Sequence, residues 1–364
     1  MTPEVSQVSA APLPAADDMA TPLARHRRTL RLALGTTVGF TTAEMLDWEL
    51  SFLIPVFLVQ LLAPPGHAPG LQQGVTIVLV LGLATGAAAT LSTLLVDMPP
   101  LFAIVLGLVL FLTFVLQRSG RSPALGTLIL VTFGVVPVVA VQAPELVPDI
   151  AFYLVRSGAV AVLWQWLLHA LLPDPEAATP RVPAPGGAAT PPGGVVRTAL
   201  ADTAVLLPVL LVAMTLAIPA ALVIILTVTA ILTQHNIAGG RRVALGLLLG
   251  NLLGGITAMV AYQLLSAVPT LAFLTALLLL VSLVYARLIA GAASLAPLFV
   301  TGLVTFVIVF GMAVAPFLDE PGATLAIRVR NLAIACVYAF GALSLIGPPG
   351  RQRVVDEVGG VRRG

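Results

Sequence analysis

Two stretches decide the fold: Ile150–Leu172, IAFYLVRSGAVAVLWQWLLHALL, and Leu325–Ile346, LAIRVRNLAIACVYAFGALSLI. Each is apolar over the ~20 residues that a membrane-spanning helix needs. Each also carries arginine near its start: Arg156 in the first, Arg328 and Arg330 in the second. The local strings are alike, R-S-G-A-V-A-V from Arg156 and R-N-L-A-I-A-C from Arg330, and the stretches run out at Pro173 and Pro348. An arginine within hydrocarbon costs at least ~2.5 kcal/mol on insertion scales, so it faces a polar interior and marks a site. The same feature at matching places in two halves predicts a duplicated transporter whose substrate is an anion.

Working outward, the chain of 364 residues is 59% hydrophobic and 9% charged, against ~25% charged in an ordinary soluble domain. The class is an all-α, polytopic membrane protein embedded in a lipid bilayer. Net charge is +2, with the arginines scattered through short loops, which argues against a nucleic-acid partner. The chain contains no lysine. That excludes a P-loop, whose lysine holds nucleotide phosphates, and any Schiff-base or retinal chemistry. Cys336 is the single cysteine, so neither a disulfide nor a thiolate metal site is expected. The four histidines show no H-E-x-x-H spacing, and no serine sits in G-x-S-x-G. No catalytic residue, metal or cofactor is therefore expected, and the chain is not read as an enzyme.

Hydropathy divides the first half into spans at about 30–46, 50–63, 74–96, 99–117, 123–142 and 150–172. The second half gives about 198–216, 218–234, 243–266, 269–286, 294–316 and 325–346. The pair 30–46 and 50–63 is short enough to be one hairpin that does not fully cross. The expected organisation is a disordered tail at 1–27, a first membrane repeat at 28–173, a Pro/Gly-rich flexible linker at 174–196, a second repeat at 197–348 and a basic tail at 349–364. The tail at 1–27 lacks the basic start and apolar core of a signal peptide. About six spans per half give the repeats the same orientation, related by an axis along the membrane normal. Arg25, Arg27, Arg28, Arg118, Arg121, Arg241, Arg242 and Arg287 then fall on one side, and Asp47, Glu49, Asp97, Glu145 and Asp149 on the other. The positive-inside rule puts the arginines and both termini in the cytoplasm. Glycine stripes at Gly82 and Gly86, and at Gly246, Gly250 and Gly254, predict close helix packing.

Glu44 stands out as a carboxylate well inside a span. Thr37, Thr41, Glu44 and Trp48 follow at spacings that put them on one helical face. Glu44 lies about two-thirds of the way through its span from the cytoplasmic end, and Arg156 enters from the outer side by a similar residual distance, so the two residues can meet. A buried glutamate gains a proton readily, which suits proton coupling; a structural Glu44–Arg156 pair and a glutamate at the outer water are the other readings. Arg156, Arg330 and Thr41 are the candidate substrate-binding residues, with Glu44 the candidate proton-coupling group. Snorkelling to headgroups, or pairing with loop carboxylates such as Glu145 and Asp319, remains open for the arginines. Arg328 and Arg330 lie on different faces, so at most one points inward. His169, His235 and Asn236 read as helix-end residues.

The opening R-x-x-L-R-x-A-L of Arg28 to Leu34, the prolines Pro64 and Pro65, and the helix G-G-R-R-x-x-x-G-x-x-x-G-x-x-x-G from Gly239 to Gly254 resemble the fusaric acid resistance and aromatic acid exporter superfamily. The segments Arg156 to Pro173 and Arg330 to Pro348 resemble that superfamily's last helix in each repeat. The resemblance implies a bacterial inner-membrane efflux permease for small organic, aromatic acids, working with a periplasmic membrane-fusion adaptor. Larger members carry a sizeable soluble insert between the halves, which the short linker here replaces. Proton-coupled export is the leading expectation, with a homo-oligomer allowed. The alternative is a non-transporting scaffold of an envelope complex; a lipid-modifying enzyme finds no catalytic cluster.

Overall fold

The computed structural model describes residues 22–64, 69–119, 123–173, 192–215, 237–291 and 295–314. Among these residues all regular structure is helical. The helices are α1 (Pro22–Met45), α2 (Leu53–Leu62), α3 (Leu71–Leu95), α4 (Pro99–Arg118), α5 (Pro123–Gln142), α6 (Val147–Leu171, led in by a 3-10 turn at Pro144–Leu146), α7 (Pro192–Ala213), α8 (Ile237–Ala267), α9 (Leu271–Gly291) and α10 (Ala296–Val314). Proline opens α1, α4, α5 and α7, where its missing N–H is no loss and its fixed φ suits a first turn. The first helix thus starts at Pro22, ahead of the expected boundary at Arg28, and α7 starts inside the expected linker. Residues 216–236 and 315–364 lie outside the described residues, with the expected spans 218–234 and 325–346, Arg330 and Arg328.

Among the described residues, six helical stretches are long and apolar enough to cross a membrane: Leu71–Leu95, Pro99–Arg118, Pro144–Leu171, Gly194–Ala213, Leu249–Ala267 and Leu271–Gly291. Their outer faces carry large apolar side chains, among them Leu83, Leu94, Ile104, Leu108 and Leu112. A water-soluble bundle puts polar residues there; lipid accepts leucine. The chain is accordingly a multi-pass membrane protein. In contrast, α2 has 10 residues, a length of ~15 Å, half of the ~30 Å hydrocarbon core. Threonine hydroxyls inside the helices donate to the carbonyl four residues back, as Thr36 does to Leu32, Thr85 to Leu81 and Thr203 to Ala199. Each polar group is thereby satisfied within its own helix, as hydrocarbon demands.

Two apolar cores form, and each mixes the halves of the chain. In one, Phe102, Leu106, Leu110 and Phe114 at four-residue spacing on α4 meet Phe133 and Val136 of α5 and Leu206 and Leu210 of α7. In the other, Phe40 of α1 and Ile54 and Leu58 of α2 meet Leu278 and Tyr285 of α9 and Phe306 and Phe310 of α10. Phe310 lies 5.9 Å from Phe40 and 5.4 Å from Phe306, centroid to centroid. The most extensive long-range contacts are α1 on α9, α4 on α7, α3 on α5 and α8 on α10, the last being the largest.

The glycine stripes behave differently from each other. On α8, a Cβ at Gly250 would lie 2.6 Å from the Leu298 carbonyl oxygen, and one at Gly254 would run into the Gly302 backbone. Here α8 and α10 touch backbone to backbone, as expected. On α3 the expectation fails: Gly86 has nothing within 4 Å and Gly82 meets only Val155 at 3.9 Å. Helix α3 packs instead through Leu81, Ala84, Thr85 and Ala88.

Candidate functional site

Arg156 lies in the third turn of α6, and its neighbours are aromatic. The guanidinium carbon lies 3.6 Å from the Trp48 ring centroid, 5.1 Å from that of Tyr153 and 5.2 Å from that of Phe152. A cation over an aromatic face is attracted by the ring's quadrupole. That attraction uses the flat face of the guanidinium and leaves its edge of N–H donors unspent. The Nε atom is buried without a hydrogen-bond partner among the described residues. Buried donors are normally paired, so this one is poised for an acceptor.

The turn after α1 delivers Trp48 to this position. Asp47 has φ 51, the left-handed conformation that non-glycine residues adopt mainly as Asn or Asp. Around it, Asp47 N–H donates to Glu44 O at 3.1 Å and Trp48 N–H to Ala43 O at 3.0 Å. These are the paired bonds of a Schellman cap, which ends the helix and fixes the direction of the following residue. On the other side, the Tyr153 hydroxyl donates to Glu49 Oε2 at 2.5 Å. The carboxylate next to Trp48 is thus engaged by Tyr153 rather than by Arg156.

Glu44 lies in the last turn of α1, half-buried. It forms no ion pair with Arg156 among the described residues. The sequence placed both at one depth; the helix ends at Met45, so Glu44 stands at the helix end, and Trp48 has left the helical face it was assigned to. Thr41 is half-buried and donates its hydroxyl to Thr37 O at 2.7 Å; its oxygen keeps acceptor capacity only. Arg330 lies outside the described residues. His169 approaches the Gln165 carbonyl at 2.8 Å, a local contact within α6. Among the described residues no group of three His, Cys, Asp or Glu lies together to hold a metal.

The arginines at the start of α1 serve helix ends. Arg28 donates to Ala63 O at the end of α2 and Arg27 to Pro173 O beyond α6, each at 2.5 Å. Cations on terminal carbonyls complement the helix dipole.

One ion pair was not foreseen. Asp202 of α7 is 2% exposed and receives Arg118 of α4 through Nε at 2.9 Å and Nη2 at 2.7 Å. Arg118 was assigned to a loop; it is the last residue of α4. Asp202 sits inside the expected span 198–216, and that position was the available signal. Gln142 of α5 donates to Ala213 O and Met214 O, each at 3.2 Å, closing the other end of α7.

A family model described as Protein of unknown function (DUF2955) matches residues 28–167. The matched stretch, less than half of the chain, runs from α1 into α6. It includes Trp48, Tyr153 and Arg156. No curated protein and no solved structure matches the chain.

Proposed function

We propose that this membrane protein is a secondary transporter that exports small aromatic carboxylates, driven by protons, with Arg156 as the anchor of the carboxylate. The observation that carries the reading is the arginine's surroundings: a guanidinium held by its face on Trp48, with a buried Nε that has no acceptor among the described residues. A carboxylate can take the edge of that guanidinium in a forked, charge-assisted pair. Phe152 and Tyr153 offer aromatic area for the ring attached to it. Thr41 and Arg330 remain the second-line contacts suggested by the sequence.

The helix contacts support two repeats. Pairing α1 with α7, α3 with α8, α4 with α9 and α5 with α10 maps one set of contacts onto the other. Under it, α1 on α9 becomes α7 on α4, α3 on α5 becomes α8 on α10, and α4 on α5 becomes α9 on α10. A pseudo-two-fold along the membrane normal has this consequence. The arginine-rich side is then cytoplasmic, in a bacterial inner membrane. The aromatic acid exporter superfamily is the family this reading favours, and a periplasmic membrane-fusion adaptor its partner.

Driving export with protons requires a carboxylate that changes charge in the cycle. Among the described helices, Asp149 is exposed, Glu44 is half-buried at the end of α1 and Asp202 is buried. Glu44 was the sequence's choice, and Glu44→Gln tests it by removing titration while keeping shape.

The anchor is tested by benzoate binding to the purified protein, with thermal stability measured on the same samples. Arg156→Lys keeps the charge and loses the fork, so affinity falls; Arg156→Ala removes binding. Unchanged affinity with lowered stability in Arg156→Ala would end the anion-site reading and leave a scaffold.

A further inference from the structure

The buried carboxylate that the Arg156 site does not use is Asp202. Its side chain is 3% exposed and that of its partner Arg118 is 12% exposed. The Nε–H and Nη2–H bonds from Arg118 to Asp202 fall on one oxygen, Oδ2. The other oxygen, Oδ1, is therefore where a proton can settle before the contact with Arg118 is lost.

The neighbours of this pair are few. Helix α7 packs on α4 and, more lightly, on α5. Helix α5 contains no charged residue, and Arg118 is the sole charge of α4. On α7 itself the other charge is Arg197, which is exposed. The charge state of Asp202 is thus answered by Arg118 alone among the elements packed on it. An apolar pair at the same two places would hold α4 to α7 as well or better, since burying two charges is costly. An ionisable residue kept inside a membrane helix marks function by default. The position is also mechanically apt, because α4–α7 and α1–α9 are the most extensive contacts between the first half of the chain and the second among the described residues.

We propose that Asp202 is the proton-binding site of the transport cycle, and that its protonation releases Arg118 and loosens the α4–α7 contact. The step balances simply. A proton from water adds to the carboxylate, giving a neutral acid, and the pair passes from zero net charge to one positive charge. The guanidinium thereby loses the carboxylate charge of Asp202. Arg118 is the last residue of α4, so its long side chain can swing out to headgroups and water. Loss of the proton draws it back. This inference rests on the transport reading for its purpose, but not for its physics.

The test uses the full-length chain in lipid nanodiscs with spin labels at Leu112→Cys on α4 and Leu200→Cys on α7, in a Cys336→Ser background. Both label sites face outward. As the pH falls from about 8 to about 5, a range a buried carboxyl can span, the label distance lengthens by several ångströms. An infrared band of a protonated carboxyl grows with the same midpoint. Asp202→Asn loses that band and holds the long distance at every pH, while Glu44→Gln keeps the band and the movement. The paired change Arg118→Leu with Asp202→Leu keeps the short distance and does not respond to pH. A distance that ignores pH in the labelled chain overturns the proposal. So does a band that survives Asp202→Asn, or movement abolished by Glu44→Gln. If Asp202→Asn fails to fold, the labelled chain and the paired variant decide alone. Benzoate binding at Arg156 is scored separately, so a failed anchor with an intact acid-driven movement faults the substrate and not the switch.

Discussion

Gly254→Ala sets the tightest helix contact in the protein against the intrinsic preference of a helix for alanine. Alanine is favoured over glycine in a helix interior by up to ~1 kcal/mol. At Gly254 the new Cβ would meet the Gly302 backbone directly and lie 2.9 Å from Thr305 Cβ. The backbone of α10 cannot turn aside, so the two helices must separate along their most extensive contact. Overpacking of this kind costs about 1–3 kcal/mol, which leaves a net loss of about 1–2 kcal/mol. Gly86→Ala is the control, because nothing lies within 4 Å of its Cβ. Its expected change is a gain of a few tenths up to ~1 kcal/mol, towards the low end, since a membrane helix keeps its turns when the bundle comes apart. The assay is thermal unfolding of both variants in the same detergent. Adding Thr305→Ala to Gly254→Ala is not expected to rescue, because the wall is the Gly302 carbonyl; it also removes the Thr305 hydroxyl's bond to Asn251, 2.9 Å long. Gly254→Ala at or above the parent's stability, or Gly86→Ala falling as far as Gly254→Ala, would refute the reasoning.

Three further outcomes are expected. Phe310→Ala empties a fully buried place against Phe40 and Phe306; thermal unfolding should show a loss of ~2 kcal/mol, below the ~3–5 kcal/mol of a soluble core because lipid already solvates apolar groups. Trp48→Leu removes the ring 3.6 Å from Arg156 and should weaken benzoate binding about threefold to tenfold by calorimetry, with Trp48→Phe in between, as a cation–π contact of ~0.5–1.5 kcal/mol requires. Cysteines placed at Glu145 and at Arg287, both exposed, should label from opposite sides of the membrane, and labelling from one side would sink the proposed topology.

The membrane class and most helices were legible because hydropathy at membrane length is a strong, local signal. What sits beside what was not. That α1 packs on α9 and α4 on α7 depends on contacts far apart in sequence, which a one-dimensional pattern of leucine and glycine does not encode. The two glycine stripes make the point in small. Gly82 and Gly86 share the spacing of Gly250 and Gly254, yet one pair faces open space and the other an opposing backbone. Spacing reports that a helix has a smooth face; only the partner helix decides whether the face is used.

Arg156 was legible as a site because a single charge in an apolar stretch is conspicuous, but the company it keeps was not. Its stacking partner Trp48 was assigned to the helical face of Thr37, Thr41 and Glu44. The chain instead leaves that helix at Asp47 through a left-handed residue, and nothing in A-E-M-L-D-W announces the turn as a glycine would. Asp202 was missed for the opposite reason. It lies four residues inside its span, close enough to the edge to pass as interfacial, and Arg118 falls one residue beyond the expected end of its own. Hydropathy trims helices at their charges, so it separates two charges that meet across a helix interface. The bias is systematic, and it tells where to look in a chain of this kind. Ion pairs joining membrane helices are to be sought among the charges that hydropathy has assigned to loops. Here Arg118 was such a charge, and it meets Asp202 across the α4–α7 contact between the two halves of the chain.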